Sequence, residues 1–183
     1  IHLNIKTNNI EVIDNIAKQY IEYFGQYLLE PRFSYLSEKS ITIQPICHLF
    51  HKLILIVTGE TSHTYLDELI NIHTSKNGRI LTAKQVRKPV DPKAFVFSNQ
   101  SIFTLMTPEK FKNNTNPSSA FTHGVQAPMM NFWSMDSKMK NYSEFFKLSS
   151  FVIKNLSLQQ DRMTSNSIEE STNISDSIKD ELS

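Results

Sequence analysis

Cys47-His48-x-x-His51 is the densest group of potential metal ligands in the chain. One thiol and two imidazoles are ligand types that zinc selects, but a tetrahedral site needs a fourth ligand and none follows at the usual spacing. The three residues read instead as part of a loop leading into the apolar run that starts at Leu53. His63 and His73 are the remaining candidates for acid–base work, since imidazole changes charge near neutral pH. The plainer reading is that both are ordinary surface histidines. Lys52, Arg87 and Lys88 could hold anionic headgroups, against the plainer reading of solvated charges around a loop. Trp133, with Phe132 and Met135, has the amphipathic character of a membrane rim, but an aromatic at a strand end more often packs into a core. Gly124, Gln126 and Asn131 read as architecture: glycine permits close backbone approach, and the amides can satisfy buried backbone groups.

The elements that must position these residues are visible in the hydrophobic periodicity. Ile1, Leu3 and Ile5 alternate with polar residues, predicting a strand. Asn8 and Asn9 follow as capping residues, and Ile10, Ile13, Ile16, Ala17, Tyr20, Ile21 and Phe24 recur at helical spacing, predicting an amphipathic helix over 10–29. Leu53–Val57 is a continuous aliphatic run, the pattern of a parallel strand covered on both faces. A short helix is predicted over Tyr65–Ile72, and a loop with a possible edge strand over 74–93. Ser101–Met106 and Val125–Phe132 are further candidate strands, the second weakened by Pro128. Lys138–Phe146 reads as a helix and Phe151–Ile153 as a last short strand. Strands alternating with helices predict an α/β architecture.

Composition narrows the class. The 183 residues carry 19 Lys and Arg against 18 Asp and Glu, a balance that gives no electrostatic case for a nucleic-acid partner. A mean hydropathy of −0.32 and the lack of a long apolar run predict a soluble globular protein. The single Cys47 excludes an internal disulfide framework and fits a reducing compartment. The chain opens on a strand without an initiator methionine or signal-peptide pattern, which reads as a fragment of something longer. From Ser157 the aromatic residues stop and serine and acidic residues dominate, predicting a disordered tail or linker over 157–183.

The most distinctive stretch is Asn116–Lys154. Asn116-Pro117, Gly124-Val125-Gln126, Asn131-Phe132, Asp136, Met139 and Phe151-Val152-Ile153-Lys154 occur in one order. That order resembles the closing motif of the Y region of eukaryotic phosphoinositide-specific phospholipases C. Upstream, Ile16-Ala17, Phe24-Gly25, Leu28-Leu29, Pro31 and the Lys52–Val57 run resemble the end of that family's X region. Leu66–Ile70 is similar to the opening of its Y region, and Phe95–Pro108 to the segment running into an Arg-hydrophobic-Tyr-Pro strand end. The resemblance covers about residues 1–156, with 1–60 as the end of the X region and 61–156 as the Y region.

The resemblance implies the C-terminal portion of a TIM-like (β/α)8 barrel. The catalytic histidines and most Ca²⁺ ligands would lie in the N-terminal half of the same barrel, outside this segment, so no catalytic residue and no metal ligand is expected here. The reaction implied is hydrolysis of phosphatidylinositol 4,5-bisphosphate to diacylglycerol and inositol trisphosphate, by a cytoplasmic protein peripheral to membranes that meets membrane phosphoinositides. Ca²⁺ is the cofactor expected for an active parent. Several substrate positions depart from the family pattern. Lys6 stands for a Glu, Val57 and Gly59 for two lysines, and Leu105 and Thr107 for an Arg and a Tyr. Lys88 falls near a phosphate-contacting Ser and, with Lys52, remains a candidate substrate-binding residue. A Leu cannot imitate the bidentate contact of Arg with phosphate. The alternative is therefore a catalytically inactive scaffold or inositide-binding relative.

Overall fold

The computed structural model describes residues 1–37, 41, 44–108, 113–149 and 152–159. Among them, six strands form two three-stranded sheets, every pairing parallel. In the first, β1 (His2–Asn4), β2 (Ile56–Thr58) and β3 (Ile72–His73) lie side by side in chain order. In the second, β4 (Gly78–Thr82), β5 (Phe103–Thr107) and β6 (Ala127–Pro128) do the same. The protein is thus mixed α/β, as its sequence predicts, and the two sheets do not close on each other among the described residues.

Helix α1 (Ile10–Phe24) starts where Asn9 caps it, its side-chain oxygen accepting from the Val12 N–H at 3.3 Å. It lays Ile13 and Ala17 on Leu55 and Val57, with Leu66 and Ile70 completing the first core. A 3-10 turn over Gly25–Tyr27 ends the helix before the predicted position 29, and Leu28 bridges to Leu53. The aliphatic run at 53–57 enters the sheet later than predicted, since β2 begins at Ile56.

Helix α2 (Tyr65–Leu69) is shorter than the predicted 65–72. The Asn71 and Ile72 N–H groups donate to the Leu55 carbonyl, and the Asn71 Oδ1 accepts from the Leu55 N–H at 2.9 Å. Pairing with the neighbouring chain takes residues 70–73 out of the helix. Gly78 opens β4 at a close approach, because a Cβ there would press on the Ile72 side chain.

Sequence reading passes over three helices. Helix α3 (Ala83–Arg87) carries a capping box between Thr82 and Gln85. Helix α4 (Pro92–Ser101) is capped by Asp91, which accepts from the Lys93 and Ala94 N–H groups, with Pro92 in its first turn. Helix α5 (Ser118–Thr122) follows Pro117. Ala83, Val86, Met106, Ala120 and Val125 form the second core. The predicted helix at 138–146 is α6 (Ser137–Phe145).

The last predicted strand does not form: Val152 and Ile153 have no strand pairing, and Phe151 lies outside the described residues. Of the predicted tail, residues 157–159 are held by contacts, with Leu156–Leu158 in a 3-10 turn and the Gln159 amide donating to the Lys154 carbonyl at 2.7 Å. The remainder of that tail, 160–183, lies outside the described residues.

Candidate functional site

Register decides which side chains face helices and which face open space. His2, Ile56 and Ile72 share one row of the first sheet, and Leu3, Val57 and His73 the next. Leu3 and Val57 pack under α1, whereas Ile56 and Ile72 line a large apolar groove. In the second sheet, Leu81, Met106 and Pro128 form one row; Leu81 and Met106 belong to the core against α3, α4 and α5. Ile80, Leu105 and Ala127 form the row on the opposite side, and Phe103 and Ala127 line the same groove. Its volume is about 1380 Å³. An aromatic group borders it: Phe121 and Phe145 stack at 4.1 Å, Phe145 and Phe146 meet edge to face, and Tyr142 contacts Phe132 and Phe146.

Across the groove side of the first sheet runs a short polar ladder. His2 Nε2 meets Thr58 Oγ1 at 2.9 Å, and Thr58 Oγ1 meets Thr74 Oγ1 at 2.8 Å. Burial, and secondarily the neighbouring N-terminal charge, push the His2 pKa below its ordinary value. The sequence does not reveal this ladder, because its members are 16 and 56 positions apart.

The sequence-predicted substrate positions scatter across these surfaces. Val57 has no exposed surface and belongs to the α1 core, so it cannot face a ligand. Gly59 has φ 120°, and a Cβ there would run into the Ile5 carbonyl oxygen, so no side chain fits. The groove-side residues at the end of β2 are Ile56 and Thr58. Leu105 does stand on the groove side, 3% exposed, and the Thr107 hydroxyl donates to the Leu81 carbonyl at 3.3 Å. Lys6 is exposed just after β1. Lys52 and Lys88 are not brought together. Lys52 precedes β2 and its ammonium donates to the Gln26 carbonyl at 3.1 Å, while Lys88 is exposed at the end of α3.

Two expectations about aromatic and imidazole side chains are corrected. Trp133 is 81% exposed rather than packed in a core, because β6 is only two residues long and the chain has left the sheet before it. His73 is buried, not on the surface. Its Nε2 lies 2.9 Å from the Gly59 carbonyl oxygen and must donate to it, so Nδ1 accepts from the Ser75 N–H and hydroxyl. His63 is exposed with φ 64°. Cys47, His48 and His51 are exposed, and no three His, Cys, Asp or Glu residues converge on a possible ion among the described residues.

The motif residues from Asn116 onward wire the second sheet to its surroundings. Gln126 spans two segments: its Oε1 accepts from the Thr104 N–H at 2.9 Å, and its Nε2 donates to the Asn99 carbonyl at 2.6 Å. Asn99 Oδ1 accepts from Arg79 at 2.7 Å and from the Thr104 hydroxyl at 2.6 Å, and the Arg79 guanidinium lies over Phe95. Lys154 reaches the Asn99 carbonyl at 3.2 Å. Burial lowers the pKa of both Arg79 and Lys154 from their ordinary values.

Gly124 sits at φ 71° with Leu158 against it. Asp136 caps α6 through the Met139 N–H and also accepts from the Asn114 N–H, each at 2.9 Å. These bonds, the Met139 one foremost, hold its pKa below the usual carboxylate range. Asn114, which sequence reading does not single out, is buried, and its amide donates to the Asn131 and Ser134 carbonyls while accepting from the Asn131 N–H at 2.6 Å. On α2, beside the first sheet, Asp67 plays a similar part, accepting from the Tyr35 and Thr61 hydroxyls at 2.7 and 2.9 Å. Burial, then the Asp67 hydrogen bond and charge, raise the Tyr35 pKa well above that of a free phenol.

No helix among the described residues is long and apolar enough to cross a membrane. Compared with models of known families and with curated proteins, the chain matches none.

Proposed function

We propose that this chain is the C-terminal part of a (β/α)8-type barrel of the phosphoinositide-specific phospholipase C kind, with substrate positions that have lost their phosphate-binding character. The observation that carries the reading is strand order. Among the described residues the strands of each three-stranded sheet pair only in parallel and in chain order, and helices lie in the connections within each sheet. Parallel neighbours in sequential order are what a barrel built from βα units requires. The wide apolar groove beside the strands supports an N-terminal half as the partner that fills it. Catalytic histidines and Ca²⁺ ligands belong to that half in this reading.

A second reading, a catalytically inactive inositide-binding scaffold, is favoured by the strand ends. Leu105 is buried and apolar, Gly59 has no room for a side chain, and Lys6 presents a cation where a metal would want a carboxylate. Removing a charge-assisted hydrogen bond to phosphate costs on the order of 1.5–3 kcal/mol, and about 1.4 kcal/mol is tenfold in rate.

The test is release of inositol trisphosphate from phosphatidylinositol 4,5-bisphosphate by the intact protein at saturating Ca²⁺. Expected is turnover far below that of a typical phospholipase C, and fast turnover would refute the loss of the substrate positions. The residues encoded immediately before Ile1 discriminate further. Two histidines at strand ends there fit an enzyme, and their absence fits the scaffold.

A further inference from the structure

A second concavity, of about 380 Å³, lies where the end of α3, the 113–117 segment and the first turn of α6 meet. Among the described residues its lining includes Arg87 and Lys138 and no acidic side chain. Lys138 is half-buried and Arg87 exposed, and neither makes a hydrogen bond or ion pair among the described residues. Asp136 feels the Lys138 charge, but its oxygens are occupied by the Met139 and Asn114 N–H groups.

The uncharged wall is rich in amides and hydroxyls. Asn114 is spent on Asn131 and Ser134 and fixes the floor. Asn116 Oδ1 accepts from the Ser118 N–H and hydroxyl, which leaves its NH₂ donors without a partner among the described residues. Asn113 and Thr115 add an amide and a hydroxyl. The surroundings reinforce the sign: residues 79–93 hold five cations and one acid, and residues 113–119 hold no charge.

We infer that this cleft binds a phosphate group, held between Arg87 and Lys138 with the Asn116 and Thr115 side chains as further donors. An Arg fork takes two oxyanion oxygens at once, and a lysine supplies a point charge opposite it. The cleft has room for a phosphate carrying a small organic body. It is separate from the large groove, and the inference stands whether or not the chain belongs to a phospholipase C.

The experiment measures uptake of inorganic phosphate by the intact protein in equilibrium dialysis. A second arm is co-sedimentation with phosphatidylcholine vesicles carrying about one-tenth phosphatidic acid, an anionic surface of the kind basic segments recognise. Expected are saturable uptake that weakens with salt and a drop of about tenfold in affinity for each of Arg87→Glu and Lys138→Glu. Phosphate uptake without sedimentation assigns the cleft to a soluble phosphorylated ligand. Sedimentation that free phosphate competes away assigns it to a lipid headgroup. Uptake unchanged in both reversal variants overturns the inference, as does the absence of both uptake and sedimentation. So does an equal drop in the control Lys18→Glu on exposed α1 surface. Should a reversal variant melt early, Arg87→Gln and Lys138→Gln make the same comparison. The readout is binding alone, so its failure is distinct from a failure of phosphodiester turnover.

Discussion

Val57 and Leu105 are both apolar and both nearly inaccessible, yet a charge should be received very differently at each. Val57 is enclosed by Ile13, Ala17 and Leu66, with no acidic partner in that cluster. An ammonium there is buried and unpaired, at a cost of several kcal/mol. Leu105 shares a row with Ala127, which lines the groove, so a long side chain there need only extend past its neighbours to bring its head to open space. Val57→Lys should therefore abolish cooperative melting of the intact protein, while Leu105→Arg should retain it. Equal melting temperatures would mean that the face assignment of β2 is wrong. Asp136 supplies a pH-dependent prediction. Its folded pKa is depressed, so its contribution to stability is complete above the unfolded value of about 4 and is lost as pH falls through the lower folded value. Asp136→Asn should flatten the acid limb of a melting-temperature profile below about pH 5. An unchanged limb in that variant would show that other carboxylates dominate acid unfolding.

At the scale of elements, long-range side-chain bonds hold together strands too short to be stable by themselves. Strand β6 has two residues, and the chain beyond it is tied back by Asn114, whose buried amide meets Asn131, Ser134 and Asp136. Truncation to alanine removes the Asn114 bonds to the Asn131 N–H and to the Asn131 and Ser134 carbonyls, at about 0.5–1.5 kcal/mol for each. Asn114→Ala should lower the melting temperature by several degrees or more. A change under about one degree would mean that water or a shifted backbone replaces the amide. Asn71 works the same way between β2 and β3, accepting from the Leu55 N–H and donating to the Phe33 carbonyl at 3.3 Å. These ties explain why helix α2 stops at Leu69. The local preference for helix yields to pairing with a strand that lies 16 residues earlier in the chain.

For the molecule as a whole, the largest fact is the groove lined by Ile54, Ile56, Ile72, Phe103 and the aromatic side chains around α6. An apolar surface of that size invites a partner or aggregation. The 183-residue chain expressed alone should bind a hydrophobic dye and self-associate. If the proposed barrel reading holds, addition of an N-terminal half in trans should suppress both. A monomeric, dye-silent chain with one cooperative unfolding transition would show that the two sheets are self-sufficient and would remove the support the groove lends to the barrel reading.

What the sequence determined by itself is local. The alternation in Ile1–Ile5, the three- and four-residue spacing from Ile10 to Phe24 and the aliphatic run at 53–57 are each set by neighbours within one turn or one strand. They foretold an α/β chain and most of its long elements. Helices α3 and α4 were legible too, in the Thr82–Gln85 capping box and the Asp91-Pro92 start, but their weak apolar periodicity hid them. Which face each strand residue shows was decided only by tertiary structure, because a shift of one position in register sends every side chain to the other side of a sheet. That is why Val57 belongs to a core, why Gly59 admits no side chain and why His73 is buried. The pairing of Arg87 with Lys138 across one cleft lay equally beyond the sequence, since 51 positions separate them and only the packing of α3, the 113–117 segment and α6 brings them together.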